Sequence, residues 1–277
     1  LAYLYQTNQY ELADWVRENV KFPSCMVDRI TPRTTDALRE EVEESYPGYG
    51  WTAIQTEEYT QWVIENAFAS DFPDLRQVGA TIADGIEPWE ETKIRILNGG
   101  HTSLAYLGVL SGYRTFDEVM ADEAHRKHFQ NLQREEIVPS IGIDLPFDID
   151  DYVDQIEDRL ASASNHDELE RICMDGFTKF HTFVVPSVRA CLEQGRKPIH
   201  TYRSIAAWYI YAKKFARGCN KIRYSEPNWL HLEPLLRDGN VDLFVTNERL
   251  WGDIPRNHMT FSRDLKTILL SHTYEKE

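Results

Sequence analysis

The sequence has no unbroken apolar run of the ~20 residues that a bilayer-crossing helix needs, which excludes a helical membrane span. It is poor in positive charge: 30 lysines and arginines stand against 45 aspartates and glutamates, a formal net charge of -15. Nucleic acid and anionic membrane surfaces are themselves negative, and no basic stripe interleaved with aromatics offsets the repulsion, so neither is expected as a partner. Cysteine is scarce. Cys25, Cys173, Cys191 and Cys219 show no C-x-x-C spacing, which argues against a zinc site and a disulfide framework and for a reduced, cytoplasmic setting. There is no G-x-G-x-x-G fingerprint, no P-loop and no nucleophile elbow. The first residues lack the basic-then-apolar order of a secretion signal, and the chain opens on Leu1 in mid-pattern, which reads as a fragment or processed product.

What is present suffices for a packed core. With 277 residues, 42% of them hydrophobic and 12% aromatic, the chain is long and apolar enough for one large domain or two modest ones. Residues 10–20 have helical spacing, 24–30 read as a strand, 35–46 as an acidic helix, 56–69 as a second helix and 77–82 as a strand. From Pro88 onward the pattern is helical, with helices expected near 88–112, 115–135, 147–161, 166–195, 201–217, 227–237, 240–251 and 259–272. The expected class is mainly α: a mixed α/β segment over 1–86, then a helical domain over 87–277.

The most informative stretch is EETKIRILNGGH, from Glu90 to His101. On an α-helix of about 100° per residue, Glu90, His101 and Asn98 lie roughly 60°, 80° and 140° around the axis from Lys93, so all four can face one cleft. A lysine desolvated there can lose its proton near neutral pH and act as a general base. The plain alternative is a solvated i, i+3 ion pair between Glu90 and Lys93. Gly99 and Gly100 favour the functional reading, because two glycines cost a helix about 1 kcal/mol each and imply close approach of a ligand or another backbone.

Three further residues stand out. Asp28 precedes Arg29 at the end of an apolar strand. Arg171 and Lys179 flank Cys173-Met174-Asp175-Gly176, eight residues apart and about 80° from one another on a helix, so both can reach a polar ligand. Taken alone, nearby Glu168, Glu170 and Asp175 favour a solvated charged face. His125 and His128 lack a third ligand at metal spacing, and no metal is expected. The aromatics around Trp208, Tyr209, Tyr211 and Trp229 read as core.

FPSCMVDRITP, TQWVIENAF, the K-x4-N-x2-H pattern of Lys93, Asn98 and His101, and RICMDGFTK, in this order, resemble the mannitol dehydrogenase family of polyol-specific long-chain dehydrogenases. The resemblance implies zinc-independent, NAD(P)-dependent oxidation of a secondary alcohol of a polyol such as mannitol to the ketose. It assigns Lys93 as catalytic base, Asn98 and His101 as holders of the reacting oxygen, and Glu90 as the carboxylate of proton exit. Asp28, Arg171 and Lys179 take positions that contact the outer hydroxyls. It further implies a chain that begins after the family's N-terminal Rossmann core, with NAD or NADP bound mainly by a domain absent from this chain. Arg159-Leu160-Ala161-Ser162-Ala163 replaces the family's Arg-Phe-x-Asn-Pro, which leaves linear polyol versus sugar acid open, the latter as for fructuronate or tagaturonate reductases. A helical binding module without redox activity is the alternative from another class.

Overall fold

The computed structural model describes residues 1–219, 223–237 and 241–273, by backbone only at 272 and 273. The chain divides into two units, Leu1–Ile30 with Glu57–Glu90, and Thr31–Thr56 with Glu91–Glu277. Residues 31–56 therefore belong with the helices.

The first unit is built on a three-stranded sheet: β1 (Cys25–Asp28), β2 (Gln61–Glu65) and β3 (Thr81–Ala83), in the order β1-β2-β3. β1 runs antiparallel to β2, with Met26 opposite Val63, and β3 runs parallel to it, with Ile82 opposite Ile64. Met26, Val63 and Ile86 form the core of the unit, with Ala83 and Trp89 packed on it. The expected helix over 56–69 is instead β2. Adjacent Val63 and Ile64 are both buried, as in a strand covered on both faces, and such a run carries no alternation to distinguish it from a helix. The strand expected over 77–82 begins later, because Gly79 ends the Leu75–Val78 turn at φ 90°, a left-handed conformation that no extended segment can include. The Tyr10–Asn19 helix forms as expected.

The second unit is helical and centres on Ile199–Ala216. Its buried aromatics include Trp208, Tyr202, Tyr209, Tyr211, Phe180, Phe244, Trp251 and Phe261, with Trp208 stacked on Phe180 at 4.5 Å. Three of the long helices foreseen are interrupted. The one over 115–135 breaks at Asp122, whose carboxylate accepts from the His125 N–H at 3.0 Å and caps a new helix. The one over 166–195 breaks at Asp175, with φ 54°, and Gly176. A Cβ on Gly176 would strike Trp208 Nε1 and stand 2.6 and 2.7 Å from the Tyr106 and Tyr224 hydroxyls. The one over 240–251 is two helices, Val241–Val245 and Glu248–Trp251, and its first residue lies outside the described residues. The 147–161 helix forms as Ile149–Leu160, capped by Asp148.

Candidate functional site

The segment expected to be one helix over 88–112 changes winding along its length. Glu87–Thr92 is α-helical, Lys93–Gly99 is a π-helix, and Gly100–Ser111 returns to α. A π-helix bonds i to i+5, about 80° per residue, so Asn98 falls roughly 40° from Lys93 where an α-helix would set them about 140° apart. The base and the amide thus share one face. Both are half-buried, and neither makes a hydrogen bond or ion pair among the described residues.

The opposite side of the π-helix is braced by buried polar contacts. Arg95, 4% exposed, donates to Ser187 Oγ at 3.0 Å, to the Ser140 carbonyl at 3.1 Å and to Glu91 at 2.6 Å. Gln133 Nε2, on a second π-helix (Leu132–Ile137), donates to the Ile96 carbonyl at 2.8 Å. The two glycines admit protein. A Cβ on Gly99 would lie 2.9 Å from the carbonyl oxygen of Phe183, on a third π-helix (Phe180–Val184), and one on Gly100 would collide with Gln133 Nε2. Of the two reasons expected for the glycine pair, close backbone approach is the one found at Gly99.

His101 follows on the next turn and meets Asp167. Its Nε2 is 3.5 Å from Asp167 Oδ2, and its ring stands edge-on to Phe116 at 4.4 Å. Burial pushes the His101 pKa down to about 4; Asp167 opposes this, while Arg171 and Lys179 add to it. The imidazole is therefore neutral at pH 7, and its approach to Asp167 is not an ion pair. Arg171 donates through Nε to Asp167 Oδ1 at 2.9 Å, and its Nη2 reaches the same oxygen. Lys179 Nζ donates to the Ile172 carbonyl at 2.7 Å, and burial lowers its pKa.

Of the seven residues singled out in the sequence, His101, Arg171 and Lys179 gather around Asp167, and Lys93 and Asn98 share the π-helical face. Asp28 is buried at the end of β1, opposite Gln61, and Glu90 is the last residue of the first unit. The partner of Arg171 is Asp167, with a side chain 6% exposed, rather than the solvated acids nearer by; the i, i+4 spacing of Asp167 and Arg171 was the signal for it. Arg95 and Gln133 were also missed. Arg95 sits four residues after Glu91, but nothing in the sequence marks Gln133. Among the described residues no three His, Cys, Asp or Glu side chains gather so as to hold a metal.

Comparison with known proteins decides the family. Residues 85–269 match the profile described as mannitol dehydrogenase C-terminal domain, and residues 2–77 match that of the mannitol dehydrogenase Rossmann domain. The chain belongs to the mannitol dehydrogenase family. Relatives include a mannitol 2-dehydrogenase of Phaeosphaeria nodorum, 31% identical over 98% of this chain and 48% of that one. A D-mannonate oxidoreductase of Escherichia coli is 34% identical over 81% of this chain and 46% of that one. Among solved structures, the Pseudomonas fluorescens mannitol 2-dehydrogenase ternary complex with NAD and D-mannitol superposes with a TM-score of 0.82 at 30% identity, over 96% of this chain and 54% of that one. The chain spans about half the length of the family members it matches. The expectation that it lacks the family's Rossmann core, and with it the cofactor's domain, is overturned by the match over residues 2–77. That expectation came from the resemblance together with the missing glycine fingerprint.

Proposed function

We propose that this chain carries the substrate site and proton acceptor of an NAD(P)-dependent, metal-independent dehydrogenase that oxidises a secondary alcohol of an open-chain polyol. The π-helical alignment of Lys93 with Asn98 carries the reading. Its donor set fits a nicotinamide dinucleotide: an amine to take a proton and an amide to hold an oxygen are the protein's share of a hydride transfer. The 2–77 segment would hold the dinucleotide, which when bound accepts the hydride leaving carbon.

Each side chain then has one task. Lys93, as the free amine, takes the hydroxyl proton. Asn98 donates to the oxygen as charge builds on it, a contribution of roughly 3 kcal/mol in comparable sites. The neutral His101 holds a hydroxyl without adding charge, and Glu90 provides the route by which the proton leaves. Arg171 and Lys179 serve the outer hydroxyls, and the family resemblance assigns Asp28 of the first unit the same task.

Hydroxyls suit the second unit better than a carboxylate. The charge of Arg171 is already met by Asp167, and one N–H of Lys179 is taken by a backbone carbonyl, so an acid would find at most one uncompensated cation rather than two. The mannonate oxidoreductase relative gives the sugar-acid reading its support. NAD-dependent turnover by the full-length protein separates them: D-mannitol oxidation should exceed fructuronate reduction, and a preference for the acid would reverse the substrate class.

A further inference from the structure

The carboxylate of Asp167 is divided between two tasks. Both contacts from Arg171 end on Oδ1, which leaves Oδ2 with no hydrogen bond and sealed from solvent, facing a His101 Nε2 that is equally sealed and unpartnered. The two orphan atoms are 3.5 Å apart. Buried polar atoms without partners cost about 1–3 kcal/mol each, and a small approach of these two satisfies both.

The backbone around Asp167 is fixed independently of its side chain. Its carbonyl accepts from the Phe116 N–H at 3.0 Å, the Leu169 N–H donates to the Arg114 carbonyl at 3.0 Å, and Thr115 bridges Glu168 between them. Phe116 also supplies the edge against the His101 ring. The carboxylate is thereby mounted on the short antiparallel pairing whose Phe116 borders the imidazole of the Gly100–Ser111 helix.

We infer that Asp167 is a positioning residue that holds the proton of His101 on Nε2, leaving Nδ1 as an acceptor for a hydroxyl hydrogen of the substrate. A carboxylate paired with a guanidinium can only accept, so the nitrogen facing it must carry hydrogen. A neutral imidazole has one N–H to give, so the other nitrogen is bare. Among the described residues Nδ1 has no protein hydrogen bond. The reacting hydroxyl gives its one hydrogen to Lys93, so the hydroxyl held by Nδ1 is a neighbouring one, present in the polyol and in the ketose alike. This rests on the proposed function for its substrate, but the tautomer does not depend on turnover.

The test uses full-length protein, labelled with 15N at histidine, as wild type, Asp167→Asn and Asp167→Glu. The charged groups facing His101 are Asp167, Arg171 and Lys179, so spectra are taken near pH 7.5, where the imidazole is neutral. The wild type should show His101 protonated on Nε2. Asp167→Asn should populate the Nδ1–H form, lower kcat about 10- to 100-fold and raise the KM of polyol and ketose alike, as when the orienting partner of another imidazole is removed. Asp167→Glu should recover part of the tautomer preference. A wild-type proton on Nδ1, or an Asp167→Asn variant that keeps both the tautomer and the polyol KM, overturns the inference. Should Asp167→Asn fail to fold, the wild-type spectrum still decides. Full activity in Lys93→Ala would sink the functional reading and leave the tautomer result standing.

Discussion

Gly99→Ala should destabilise the protein even though alanine is the better helix former. The added Cβ would stand 2.9 Å from the carbonyl oxygen of Phe183, about 0.5 Å inside ordinary contact, and that oxygen belongs to a backbone that cannot swing aside. Overpacking of this kind costs about 1–3 kcal/mol, and the gain in helix propensity returns about 1 kcal/mol. Because the struck atom is backbone, the upper half of that range applies, and the net loss of about 1–2 kcal/mol corresponds to a fall in Tm of roughly 2–8 °C. The same displacement moves the π-helix at the residue next to Asn98. A misplacement of 1 Å can cost about 100-fold in rate, so half of that should lower kcat by about 10-fold. Thermal unfolding and steady-state turnover of the full-length protein measure both, with Gly142→Ala as control, since nothing lies within 4 Å of a Cβ there. A Gly99→Ala variant with unchanged or raised Tm would refute the account of three interlocked π-helices.

Removing Arg95 should be costly as well: Arg95→Met strands the Ser140 and Ser187 partners of a buried guanidinium and should lose about 2–4 kcal/mol in a denaturant titration. Acid should unfold the protein through its buried histidines. Burial lowers His101 from 6.5 to about 4 and His128 to about 3, so the folded state resists a proton that the unfolded chain takes up. Stability is fully present above pH 6.5 and is lost as pH falls toward 4 and below, with His101 accounting for about 3 kcal/mol; in His101→Gln this part of the pH slope should disappear.

Chemistry was easier to read from this sequence than winding. Lys93, Asn98 and His101 stand out by residue type and spacing, but α-helical arithmetic spreads Lys93 and Asn98 about 140° apart across one cleft. The π-helix narrows this to about 40°, and it is set by Arg95, Gln133 and the backbone at Phe183, all distant in sequence from Asn98 except the first. Asp167 was hidden because Glu168, Glu170 and Asp175 lie closer to the two cations, while the choice among acids is made by the pairing at Phe116. Strand β2 was misread because burial on both faces erases the alternation that marks a strand. Caps and breaks such as Asp122 and Asp175-Gly176 are local, yet their effect on long helical patterns depends on what packs against them.

The proton acceptor is the centre of the account, and chemical rescue reaches it most directly. Full-length Lys93→Ala, assayed for NAD-dependent oxidation of D-mannitol with and without added ethylamine, should lose about 100- to 10,000-fold in kcat and regain part of it with the amine. A variant that turns over at the wild-type rate without amine would contradict the assignment of Lys93 as the base.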